Sequence, residues 1–469
     1  VIYSYDENGN LLTIEDKNGT ITRLYDSLNR IVSYTNTAGQ TIGYEYDSVG
    51  NLTKLTYPDG KEVTYTYNSV NQMTSVTDWN GRTTYYTYNE NGKLQKVVRP
   101  DGSHEVYNYD AKGQLLTVTD LYANGNTINQ YYFAYDADGN IKSENSFNEP
   151  DANEISIDNA SMGYGNANQL TNFNGTAIAY DANGNMLSAP LYDKWGMLTY
   201  DSLNQLVGIS VGTDETYSYG YDAEGYRTTK NKNGVVTNFT VNPNAELSQV
   251  LMSTKNGETT YYVYGLGLIS QENSEGYKLY HYDYRGSTTA ITNLNGEVTD
   301  TVFYDPYGNI VSRTGSTDTP FLYVGRYGVE TDKNGLYYMR ARYYNPTIQR
   351  FVNVDPIRDE YNWYGYCSGN PVMFVDPTGS ITVGDTAYGG YVKLQLLEYT
   401  IDYLDAKMAG DIQAMTKAQN AANTLRSQSK RYKNSGFGDE FSNYMNMFIV
   451  TGFEVADESG YSYGSDEYA

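Results

Sequence analysis

The phrase Tyr-Asp-x-x-Gly-Asn, or a close variant of it, begins at Tyr5, Tyr25, Tyr46, Tyr67, Tyr88 and Tyr109, at intervals of 20 or 21 residues. A fixed period of this length marks a stack of supersecondary units, none of which buries its own apolar face alone. A second register of glycines (Gly19, Gly39, Gly60, Gly81 and Gly102) runs at nearly the same period. Each unit therefore carries two turn signals, because Asn-Gly and Asp-Gly supply the positive φ angles that tight hairpins demand. Between the turns lie short alternating stretches such as Glu62-Val63-Thr64-Tyr65-Thr66-Tyr67. Their period of two puts one face inward, as in a strand. The unit is two strands and two turns, and the chain is predicted to be mainly β.

Beyond Tyr109 the copies loosen, at Tyr135, Tyr164, Tyr180, Tyr200, Tyr221, Tyr282 and Tyr304, and the stretch 145–158 reads as a surface insertion. The length, 469 residues, suits about three ordinary domains or one large β structure. Low hydrophobic content (39%) raises the question of disorder, which 53 tyrosines answer, since disordered chains are poor in aromatics. With 32 Lys+Arg against 56 Asp+Glu the net charge is −24, so the repeat region is not expected to bind nucleic acid. The single cysteine, Cys367, excludes an internal disulfide framework, and two histidines 177 positions apart leave no His-rich metal centre. No apolar run is long enough to span a membrane. The chain opens on Val1-Ile2-Tyr3 inside a repeat and so reads as a piece of a longer polypeptide.

The C-terminal end of the repeat region carries a more specific string: Gly335-Leu336-Tyr337-Tyr338-Met339-Arg340-Ala341-Arg342-Tyr343-Tyr344-Asn345-Pro346, then Gln349-Arg350-Phe351 and Asp355-Pro356. It continues through Tyr364-Gly365-Tyr366 and Gly369-Asn370-Pro371 to Asp376-Pro377-Thr378-Gly379. Together with the repeats this string resembles the RHS/YD-repeat family: the polymorphic toxins and wall-associated proteins with an RHS-associated core, the toxin-complex C subunits and the teneurin YD shell. The resemblance implies a β-hairpin ribbon (1–320) spiralling into a large hollow shell, plugged by the core (321–379). It implies that the variable region 380–469 is an effector cargo held inside and cut free by the core. A cognate immunity protein for that cargo and a secreted or cell-wall-associated location follow from the same resemblance.

Asp355 and Asp376, each before a proline, are the candidate catalytic pair. Two carboxylates brought close share a proton, one acting as base and the other as acid on a water. In the family the matching aspartates carry self-cleavage just beyond the DPxG motif, which nominates the bond after Gly379 or Ser380. Arg350 matches a basic position of the family and is the candidate to orient a carboxylate or stabilise an oxyanion. Ser380 departs from the leucine that follows DPxG in many cleaving members. Asp-Pro pairs also end strands, because proline holds the preceding residue extended. Arg340 and Arg342 are expected to pair with acidic neighbours, His281 to be a packed residue, and Cys367 to lack the neighbouring base a nucleophile needs. Gly265-Leu266-Gly267-Leu268 has no phosphate-loop lysine and reads as a turn, so no cofactor is expected.

After Gly379 the spacing turns helical: 391–409, 411–428 and a short stretch around 441–448 read as helices. From Ser380 onward there are 7 Lys+Arg, 12 Asp+Glu, no histidine and no cysteine, which excludes His-dependent nucleases and His/Cys zinc deaminases. Two other readings stay open. Exposed tyrosines can stack on sugar rings, which would make the chain an adhesion or glycan-binding protein of the cell surface. A structural scaffold without cargo is the third.

Overall fold

The computed structural model describes residues 1–147, 160–192, 194–357, 362–380 and 382–384. Every regular element among them longer than three residues is a β-strand, and the helical segments expected in 391–409, 411–428 and 441–448 lie outside the described residues. The first fourteen strands, from Ile2–Tyr5 to Ile141–Phe147, form one antiparallel sheet in chain order. A second sheet of thirteen, from Ser188–Leu191 to Ile310–Thr314, does the same, with a three-stranded sheet over Met162–Ala177 between them in the chain.

Each residue of the repeated phrase has a physical task, seen in the turn that starts at Tyr46. The Asp47 carboxylate accepts the backbone N–H groups of Val49 and Asn51 at 3.0 and 2.9 Å, and the Asn51 side chain donates back to it at 2.8 Å. Gly50 takes the left-handed place at φ 100°, which Asn29 and Asn71 fill elsewhere at 60° and 64°; these are the residues that tolerate it. The Tyr46 hydroxyl donates to the carbonyl of Ile31 at 2.9 Å, one repeat back. Tyr25, Tyr67, Tyr88 and Tyr109 repeat that bond to Leu11, Leu52, Met73 and Leu94. At each of these tyrosines the register with the following strand slips by one residue, a bulge that sits beside the turn.

The alternation also behaves as expected: in Glu62–Tyr67, Val63 and Tyr65 are buried while Glu62, Thr64 and Thr66 face out. The buried faces of the two large sheets meet in one apolar core, with Ile21, Ile42, Leu55 and Val63 on one side and Leu251, Tyr262, Leu279 and Ile291 on the other. Polar bonds cross the same seam, including Tyr44 to Asn242 and Trp79 to Glu272. His281 sits there fully buried between Asp120 (2.6 Å) and Thr292 (2.9 Å).

The core segment folds as a four-stranded antiparallel sheet: Glu330–Thr331, Tyr337–Met339, Arg342–Asn345 and Arg350–Phe351. Its interior is aromatic, with Tyr344 and Tyr366 ring centroids 4.3 Å apart and Tyr323 and Tyr337 at 5.4 Å. Leu336, Tyr338, Tyr343, Ile348 and Val352 pack against Leu191, Leu198, Leu206 and Ile209 of the second sheet. A buried ion cluster ties the two: Arg227 on the sheet pairs with Glu330 and Asp332 at 2.8 Å each, and Lys230 reaches Asp332 at 2.9 Å.

Candidate self-cleavage site

Met339 pairs with Arg342 at the end of the core hairpin, so Arg340 and Ala341 form a two-residue turn. Against it lies the Asp-Pro-Thr-Gly segment. Arg340 Nη1 donates to the Pro377 carbonyl (2.6 Å), Ala341 N–H to that of Thr378 (3.0 Å), and Arg342 Nε to that of Gly379. Three successive residues thus hold three successive carbonyls. Gly379 is required at its place, because its φ is +72° and a Cβ would overlap the Met339 carbonyl oxygen and lie 2.9 Å from Arg342 N.

This grip sets the Gly379–Ser380 peptide against Asp376, and Arg342 links it to Asp355. Arg342 Nη2 lies 3.3 Å from Asp355 Oδ2 and 3.6 Å from Asp376 Oδ2, so one guanidinium nitrogen bridges both. All three residues are buried, at 3 to 5% side-chain exposure. The Ser380 N–H donates to Asp376 Oδ1 at 3.1 Å, and the Thr378 hydroxyl donates to the same oxygen at 2.9 Å. Asp355 Oδ1 accepts the Ile357 N–H at 3.0 Å, and Asp355 N–H donates to Trp363 O at 3.0 Å. Arg342 Nη1 donates to that same Trp363 carbonyl (2.9 Å), and its guanidinium carbon lies 3.6 Å from the centroid of the Phe351 ring. Its nitrogens and one face of the fork are therefore held, and its orientation is set. A cavity of about 320 Å³, lined among others by Gln205, Tyr226, Tyr338, Arg340 and Pro356, opens onto Arg342 and provides room for water.

Asp355, Asp376, Gly379 and Ser380 are thus brought together. Arg350 has a different place: it donates to the Asn168 carbonyl at 2.7 Å and lies over the Tyr164 ring, tying the core to the sheet of residues 162–177. The guanidinium between the carboxylates belongs to Arg342. Strand register explains the exchange, since Asn345 pairs with Arg350 and Met339 with Arg342, which leaves the two arginines at opposite ends of the Arg342–Asn345 strand. Cys367 is buried, and Leu266 is the tip of the tight hairpin in which Gly265 pairs with Gly267.

The model of the teneurin YD-shell matches residues 103–371, and that of the RHS repeat matches 5–41, 25–62 and 46–83. The tRNA3(Ser)-specific nuclease WapA of Bacillus spizizenii is 34% identical over 281 residues, 55% of this chain and 11% of that protein. Salivary gland surface protein 1 of Aedes aegypti is 32% identical over 225 residues, 44% of this chain and 7% of its own length. The chain thus spans about a tenth of the length of these curated relatives. Among solved structures, TcdB2-TccC3 without its hypervariable C-terminal region covers 80% of this chain and 23% of its own, at 17% identity and a TM-score of 0.48.

Proposed function

Because the chain belongs to the teneurin YD-shell family, whose model spans more than half of it, we propose that it is the shell and self-cutting core of an RHS effector protein. The core hydrolyses its own Gly379–Ser380 bond, and the residues beyond are the cargo. What supports this is a single guanidinium, Arg342, that bridges two buried carboxylates and also holds the Gly379 carbonyl. An acid–base pair needs one of the two carboxyls ionised and the other protonated.

Water enters from the cavity and attacks the Gly379 carbonyl carbon while Asp355 takes its proton. The charge that develops on the carbonyl oxygen falls on Arg342 Nε–H, which is already in place there. As the C–N bond breaks, Asp376 delivers a proton to the Ser380 nitrogen, whose N–H donates to Oδ1 in the uncut chain and so keeps the two groups together. The products are a Gly379 carboxylate and a free Ser380 amine.

Intact mass under denaturing conditions tests this on the 469-residue chain beside Asp376→Asn. The expected result is a fragment ending at Gly379 in the wild type and an uncut variant. An uncut wild type overturns the reading.

The relative named as a nuclease supports delivery of an effector; the one named as a surface protein supports the alternative of an adhesive shell. A secreted or surface location suits both, and a cognate immunity protein goes with the first alone. Limited proteolysis separates them: an enclosed cargo survives digestion that leaves the shell whole, whereas an appended tail is trimmed at once. Glycan binding lost on substitution of exposed tyrosines such as Tyr85 and Tyr132 would favour the adhesive shell.

A further inference from the structure

We infer that Arg340 is a positioning residue for this cleavage: its guanidinium ties the Pro377 carbonyl to the second large sheet and so sets the scissile peptide against Asp376 and Arg342. This rests on the cleavage reading above and adds to it a residue that touches neither the bond cut nor either carboxylate.

Two observations single Arg340 out. Its backbone is left-handed, φ 54°, at the first position of a two-residue hairpin turn. That is the place where glycine is the ordinary choice, because a Cβ there is strained. A strained residue persists where the surroundings over-determine it, and such residues gather at functional sites. The second observation is what over-determines this one. Its Nε donates to Ser248 Oγ (3.1 Å), Nη2 to the carbonyls of Ser248 and Tyr327 (2.7 Å each), and Nη1 to that of Pro377 (2.6 Å). Every one of these acceptors is uncharged. A cation placed at half-buried depth among carbonyls is an expensive way to close a turn, and burial pushes its pKa below the ordinary arginine value.

The geometry explains the arrangement. Ser248 precedes the strand Gln249–Lys255 of the second large sheet, and Pro377 lies two residues before the scissile carbonyl. One rigid, planar fork therefore spans from that sheet to the segment being cut, which a lysine ammonium cannot do. The neighbouring bonds, Ala341 N–H to Thr378 and Arg342 to Gly379, carry the register forward to the peptide itself. Holding a reacting bond in register is worth orders of magnitude in rate even when the holding group is remote from it.

Arg340→Gly separates positioning from folding, because it relaxes the turn while deleting the clamp. In the full chain, followed by intact mass after cell-free synthesis, the variant is expected to cut at least tenfold more slowly than wild type with its Tm within about 2 °C. In the uncut Asp376→Asn background, adding Arg340→Gly is expected to raise amide exchange at Thr378, Gly379 and Ser380 at least tenfold. Exchange in Tyr337–Met339 and Gln249–Lys255 stays unchanged. Wild-type cutting rates in Arg340→Gly overturn the inference, as does exchange that rises equally in those strands. If the wild type itself is uncut, the cleavage reading falls, and the exchange measurement still decides whether Arg340 clamps the segment.

Discussion

Arg342 meets four groups at once: the Asp355 and Asp376 carboxylates and the carbonyls of Trp363 and Gly379. Lysine offers one ammonium in place of the planar fork. Arg342→Lys is therefore expected to slow cleavage by about 100- to 1000-fold, the range for loss of an oxyanion donor, as read from the cut fraction over time. Gly379→Ala is expected to abolish cutting while the shell still folds, because a Cβ cannot share space with the Met339 carbonyl; intact mass and far-UV CD report the two separately. A third residue bears on stability instead. Burial pushes the Asp222 carboxyl up to about 6, although it accepts the N–H groups of Glu224 and Tyr226. The folded chain then binds the proton more tightly than the unfolded one, so stability falls as pH rises from about 4 to 6. Asp222→Asn keeps the acceptor and removes the charge. It should add about 3 kcal/mol at pH 7 and less than about 1 kcal/mol at pH 4, measured by urea unfolding at both.

At the scale of the element, the hairpins were legible because every interaction that defines them is local or one repeat away. Asp47, Gly50 and Asn51 satisfy one another within five residues, and Tyr46 reaches Ile31 in the adjoining strand. Removing one such hydroxyl, as in Tyr67→Phe, leaves the Leu52 carbonyl without its donor; it should destabilise the chain by about 1 kcal/mol in chemical unfolding. The core hairpin is another matter. Asp355 and Asp376 stood out through the prolines that follow them, but which arginine meets them depends on strand pairing over Arg342–Asn345 and Arg350–Phe351. Two arginines eight residues apart cannot be told apart by composition. Nor does alternation reveal that Asp332 and Glu330 close on Arg227, which lies more than a hundred positions earlier.

At the scale of the whole molecule, the tyrosines dominate. Burial raises the hydroxyl pKa of Tyr67, Tyr86 and Tyr338 to about 12, and that of many others, Tyr57, Tyr280 and Tyr344 among them, further. Unfolding returns each to about 10, so the unfolded chain sheds protons that the folded one keeps. Stability is complete below pH 10 and falls steeply above it, by about 1.4 kcal/mol per pH unit for each such hydroxyl. Alkaline unfolding is expected to be abrupt, with tyrosinate absorbance and CD changing together; a gradual rise in absorbance ahead of the CD change would contradict it. The seam between the two large sheets has a consequence in time. Tyr44 meets Asn242, Tyr57 meets Tyr262 and Trp79 meets Glu272, each partner lying about 200 residues later in the chain. A ribosome adding about 5–20 residues per second makes that interval roughly 10–40 s. Through it the apolar face of the first sheet waits for its cover, and the nascent protein spends that time in the hands of whatever chaperone meets it at the tunnel mouth.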